Sequence, residues 1–152
     1  MKKVFAVILT IALMMSLSVT AFAANTTGGE ADITTSIAPT YTVTIPADVT
    51  VQFNATETAF GTIEVIASQI HPDKCIRVSL ASDNKLENSI DDTKYIPYAI
   101  KDAEGAEFTS ATYLTEGDKT ELSIHITEGD LNAAYAGDYS DTVTFTVSYE
   151  CK

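Results

Sequence analysis

The chain has 152 residues, with 21 Asp and Glu against 9 Lys and Arg and a formal charge of −12. That excess of acid argues against nucleic acid and anionic membrane surfaces as partners, because binding to either rests on clustered basic side chains. With 45% hydrophobic residues but no Trp, two Cys and two His, the chain is long enough for one domain with its own core and poor in the groups most catalytic and metal sites use.

Lys2 and Lys3 precede an apolar run from Val4 to Met15, and small residues then lead to Ala21-Phe22-Ala23, the A-x-A form that signal peptidase accepts. Residues 1–23 therefore read as a secretory signal peptide. The apolar run is shorter than the ~20 residues a spanning helix needs, so no membrane span is expected after its removal. The expected location is secreted, at the extracellular cell surface. Loss of Lys2 and Lys3 leaves the remaining chain more acidic still.

Residues 24–39 read as a leader. Ala24 to Ala31 is small, polar and Gly-containing, and Ile33, Thr35 and Ile37 then alternate with polar residues as a short strand would. That segment is expected either to form the domain's own first strand or to act as a donor strand, adding to the sheet edge of a neighbouring subunit.

Residues 40–152 read as one β-sandwich domain. Tyr41, Val43 and Ile45 alternate with Thr, and Pro46, which has no N–H for a ladder, stops the run. Val49, Val51 and Phe53 suggest a second strand, Phe60 to Ala67 a third, and Ile76, Val78 and Leu80 a fourth. Tyr95 to Ile100 is apolar but interrupted by Pro97, which predicts an edge strand or a bulge. Leu122 to Ile126 and Val143 to Tyr149 complete the alternating runs. No stretch sustains a 3.6-residue period. Short alternating runs rich in Thr and divided by Gly, Asp, Asn and Pro predict an all-β fold, an antiparallel immunoglobulin-like or Greek-key β-sandwich, with a small β-barrel as the alternative.

Thr115-Glu116-Gly117-Asp118 recurs as Thr127-Glu128-Gly129-Asp130. Both copies are expected to be turns, since Gly supplies positive φ and Asp bonds its own backbone. Calcium is the sharper reading, but no D-x-D-x-D-G run accompanies them.

Candidate chemistry is sparse. His71 and His125 stand apart and outside any catalytic motif, and the many carboxylates scatter through turns, so no catalytic residue, metal site or cofactor is assigned and the chain is expected not to be an enzyme. Cys75 and Cys151 lie at ends of predicted strands and are candidates for one disulfide, which would stabilise by about 4 kcal/mol in the chain-entropy model. Their parity argues the other way, since Cys75 is out of phase with Ile76, Val78 and Leu80 and Cys151 in phase with Val147 and Tyr149, but strand ends are loose enough to forgive this, so an intrachain bridge is expected, with free thiols or an intermolecular bond as the alternatives. Without Trp, a sugar platform would have to come from Tyr, and Tyr95, Tyr98 and Tyr113 are the candidates for glycan contact.

The segment Tyr135-Ala136-Gly137-Asp138-Tyr139-Ser140-Asp141-Thr142-Val143-Thr144-Phe145-Thr146-Val147-Ser148-Tyr149 resembles the closing strand of secreted bacterial sandwiches of the spore-coat-U, fimbrial-subunit and surface-adhesin type, which often end in G-x-Y-x-D-x-[VL]-x-[VFL]-x-V. Tyr41 to Ala47 is similar to their first core strand. The placement of the two Cys departs from the fimbrial pattern. The resemblance implies a non-enzymatic subunit of a fibre, coat or adhesive layer. The functional expectation is therefore a structural or adhesive cell-surface protein whose partner is itself or another surface protein. A monomeric carbohydrate- or protein-binding module is the alternative, and a hydrolase working through carboxylates is the third reading.

Overall fold

The structure is a computed structural model that describes residues 32–152; the expected signal peptide, residues 1–23, and residues 24–31 lie outside them. Ten strands and one short helix follow in chain order: β1 (Thr40–Thr44), β2 (Glu57–Gln69), β3 (Lys74–Ala81), β4 (Lys85–Asn88), β5 (Tyr95–Pro97), β6 (Ala99–Asp102), β7 (Ser110–Tyr113), β8 (Lys119–His125), α1 (Glu128–Ala133), β9 (Tyr139–Ser140) and β10 (Thr144–Cys151). They form three antiparallel sheets, ordered β1-β2-β8-β6, β10-β3-β7 and β5-β4-β9. None closes on itself, so the fold is the open sandwich rather than the barrel.

The period of two explains the core. Ile63 and Val65 of β2, Ile76 and Val78 of β3, and Leu122 and Ile124 of β8 all turn inward, while Thr62, Glu64, Arg77 and Ser123 alternate with them. Ile63, Val65, Ile76 and Val78 have no exposed surface, and with Ile100 of β6 and Tyr113 of β7 they form one continuous cluster between the two larger sheets. Two aromatic pairs bridge the same gap, Tyr41 with Tyr149 and Phe60 with Phe145, each with ring centroids 5.9 Å apart. β2 bends where its register slips between Ala59 and Gly61. Gly61 sits at φ +140° with Pro46 packed so close that an added Cβ would lie 3.1 Å from the proline ring, so only glycine suits the bulge.

Two strand expectations change. Val49 to Phe53 forms no strand; it makes the crossing from β1 to β2, closed by a bond from Ala55 N–H to Gln52 C=O and by Asn54 at φ 63°. Alternation alone does not make a strand when no edge lies alongside, and Phe53 is left 93% exposed. The run Tyr95 to Ile100 becomes two strands in different sheets, parted at Tyr98, whose N–H bonds Asn84 C=O. Pro97 ends β5 at a sheet edge, where its missing donor costs no ladder bond.

The repeated tetrapeptide takes two forms. In Thr115–Asp118 the Asp118 carboxylate accepts from the N–H groups of Leu114 and Thr115 and from the Thr115 hydroxyl, making a turn with Gly117 at φ 90°. In Thr127–Asp130 the threonine instead caps α1, its hydroxyl oxygen accepting from Asp130 N–H. The residues beyond each copy decide the outcome: Lys119 onward alternates into β8, whereas Leu131 and Ala134 pack at helical spacing against the core. Replacing Thr127 by Ala should cost about 1 kcal/mol of unfolding free energy, while Thr115→Ala, which leaves the Asp118 backbone bonds intact, should cost less; chemical denaturation of the two variants compares them.

Candidate functional site

The site is built from the sheet edges. Of the six edge strands, five are short or blunted. β1 has five residues and an irregular register between Thr42 and Val43, and β7 has four. β5 has three and ends in Pro97, and β9 has two. β6 is met by its own return, since Asp102 N–H bonds Ala106 C=O and Phe108 N–H bonds Ile100 C=O. β10 differs. It runs for eight residues without Pro or Lys, in unbroken register with β3 from Thr144 opposite Ala81 to Cys151 opposite Lys74.

The inward row of β10 is also incompletely covered. Phe145, Val147 and Tyr149 oppose Leu80, Val78 and Ile76, yet all three are only half-buried where Val78 and Ile76 are wholly buried. Tyr41, stacked on Tyr149, and Phe60, against Phe145, line the facing side and are half-buried too. The result is an open flank between β1 and β10, apolar inside and bounded by a strand edge that has no partner among the described residues.

The predicted donor residues lie next to this flank in sequence but outside the fold. Residues 32–39 carry no secondary structure and every one is exposed; Ile33 is 99% and Ile37 68% exposed, and Thr35 lies between them. The segment is thus not this domain's first strand, which begins at Thr40. Its first anchored aromatic is Tyr41, at the Tyr149 end of β10.

The Cys75–Cys151 disulfide is not formed, and both thiols are free. β3 and β10 are neighbours, but Cys75 opposes Glu150 and Cys151 opposes Lys74, so adjacent ladder positions send the two side chains to opposite faces. Cys75 is buried; Cys151 is exposed, with the Lys74 ammonium 2.8 Å from its sulfur. That contact raises the lysine pKa above its ordinary value, the hydrogen bond to Cys151 being the main cause.

The three candidate tyrosines separate. Tyr113 is buried and its hydroxyl donates to Thr120 Oγ1 at 2.8 Å, so it serves the core. Tyr98 is buried as well, donating to the Asp141 carboxylate, with Ser82 Oγ 2.9 Å from its hydroxyl and 3.0 Å from Asp141 Oδ2. Neither ring can offer a flat face to a sugar. Only Tyr95 is exposed, with the Lys85 ammonium 4.9 Å from its ring centroid. Sequence reasoning passed over the role of Asp141, which ties the residues entering β10 to the point where the chain leaves β5 for β6.

Burial, then the hydrogen bond to Asp141, holds the Tyr98 phenol well above its ordinary value. An unfolded chain releases a phenolic proton near pH 10, whereas the folded one keeps it to higher pH, so unfolding gains favour as pH rises above about 10. Tyr98→Phe should lower stability at neutral pH by about 1.5 kcal/mol, through loss of a bond to a carboxylate, and should make the alkaline decline shallower. Denaturant midpoints between pH 7 and 12 measure both; an unchanged alkaline slope would contradict the assignment.

His125 lies on the half-exposed outer face of β8, 2.9 Å from Ser123 Oγ and 3.9 Å from Glu57, all through Nε2. Because the serine and the carboxylate meet the same ring nitrogen, the three do not relay a proton. His71 contacts Asp73 in the exposed turn before β3. No group of three or more potential metal ligands occurs among the described residues.

No protein-family model and no curated protein matches this sequence.

Proposed function

We propose that this protein is a secreted, non-enzymatic structural subunit of the cell surface, one that assembles with copies of itself through residues 33–37. One observation carries the reading. An exposed, alternating apolar segment precedes β1, while β10 offers a long regular edge above a half-buried apolar row. Added to that edge, the segment would gain main-chain bonds along β10 and turn Ile33, Thr35 and Ile37 toward Phe145, Val147 and Tyr149. Each isoleucine taken out of water contributes about 1.5–3 kcal/mol, which offsets part of the cost of ordering the strand. The secretory signal at residues 1–23 and the closing-strand resemblance support the extracellular setting.

Sedimentation velocity and electron microscopy of the chain from Ala24 to Lys152 test the reading. Concentration-dependent oligomers or fibres are expected, and a species that stays monomeric at high concentration would overturn it.

A further inference from the structure

The second structural feature lies away from the β10 edge, where the chain passes from the small sheet to the four-stranded one. A cleft of about 450 Å³ opens there, lined among others by Glu57, Lys101, His125, Thr127, Glu128 and Asp130. A second cleft of about 160 Å³ adjoins it, since Pro97 and Asp130 line both; it is bounded by Thr93, Tyr95 and Tyr135. Tyr95 and Tyr135 are the two exposed tyrosines, at 49% and 65%, and each has an ammonium near its ring, Lys85 at 4.9 Å from one centroid and Lys94 at 5.4 Å from the other. Tyr135 is further held from below, where the Tyr139 hydroxyl donates to its carbonyl at 2.9 Å.

This lining suits one class of ligand. Carboxylates accept hydrogen bonds from adjacent hydroxyl groups, the lysines donate, and exposed tyrosine rings stack on faces that carry C–H bonds. Both clefts mix polar and apolar surface in similar shares, as a sugar with hydroxyl edges and C–H faces requires. Glu57, Glu128 and Asp130 outnumber Lys94 and Lys101, so an acidic ligand would be repelled. We infer that the joined clefts bind a neutral oligosaccharide, with Tyr95 and Tyr135 as the stacking residues and Glu128, Asp130 and Lys101 as the hydroxyl-binding groups. The site gives an adhesive surface protein a ligand, and it stands whether or not the chain self-associates, because none of its residues belongs to β10 or to the segment 33–37.

Titration of the ¹⁵N-labelled chain from Ala24 to Lys152 with cellotetraose, chitotetraose and mannotetraose, and with tetragalacturonate as the acidic counterpart, tests this. At least one neutral tetrasaccharide is expected to shift amides within residues 93–101 and 125–135, with tetragalacturonate silent. Tyr95→Ala combined with Tyr135→Ala should weaken binding about tenfold or more, and Tyr135→Phe, which keeps the ring, should retain it. Both residues are exposed, and the dispersion of the variant spectra reports that the fold is kept. The inference fails if no neutral sugar binds at about 10 mM, if the shifts fall elsewhere, or if the double alanine variant binds as well as the parent.

Discussion

Replacing Ile63 by Ala should lower the unfolding free energy by about 2–5 kcal/mol, the largest single-residue effect expected in this fold. Ile63 lies on β2, inside the four-stranded sheet, with no exposed surface, and its neighbours come from both large sheets. The loss combines the transfer of three carbons with the cavity they leave, and packing between two sheets can close only part of that cavity. Thr62→Ala removes a comparable number of atoms from the neighbouring position on the same strand, which is only half-buried, and should cost about 1 kcal/mol or less. Urea unfolding followed by circular dichroism compares the two. Equal losses would mean that the inward row of β2 is not the centre of the core.

The second large effect concerns association. Ile33→Asp with Ile37→Asp should weaken self-association at least a hundredfold, about 3 kcal/mol or more, because each aspartate would have to be carried unpaired into the apolar flank beside Phe145 and Val147. Ile90→Asp is the control, since Ile90 is 89% exposed but lies in the turn after β4, away from that flank. It should leave association unchanged. The folded domain should keep its stability in both variants, because residues 33 and 37 make no contact with the core. Equal weakening by both variants would point to general charge repulsion in an already acidic protein rather than to a strand exchange.

The strands with seven or more residues besides the long edge, β2, β3 and β8, were legible because alternation over that length has one physical reading: one face buried, the other wet. β10 was legible for the same reason. β4, β7 and β9 were not, since four residues or fewer carry too little pattern to distinguish a ladder from a loop. Val49 to Phe53 had the pattern without the partner, which alternation cannot reveal. The two Thr-Glu-Gly-Asp copies make the same point for turns, because the residues after the motif, not within it, decide between Asp118 bracing a turn and Thr127 capping a helix.

The candidate sites divide along similar lines. The expected Cys75–Cys151 bridge fails because strand parity, which the looseness of strand ends was expected to forgive, holds to the last residues: in the register of β3 against β10 the two occupy adjacent ladder positions and point to opposite faces. Which tyrosines are exposed could not be read locally, because Tyr98 is buried through a bond to Asp141, 43 residues away, and Tyr113 through one to Thr120 across a turn. The apolar alternation of Ile33, Thr35 and Ile37 was visible. That β10 is the open edge was not, since its exposure depends on how the other five edges are shortened, bulged or covered.

The most direct test of assembly is a cross-link between two chains. One variant carries Ser36→Cys, the other Thr146→Cys, both with Cys151→Ser; these are outward positions on the donor segment and on β10, and native Cys75 stays buried. Mild oxidation of the mixture should give a disulfide-linked pair that contains one of each variant, and a chain carrying both cysteines should give linked multimers. If the mixture yields no mixed pair, or if the doubly substituted chain closes on itself as a monomer, residues 33–37 do not pass to a neighbouring copy and the proposed assembly is wrong.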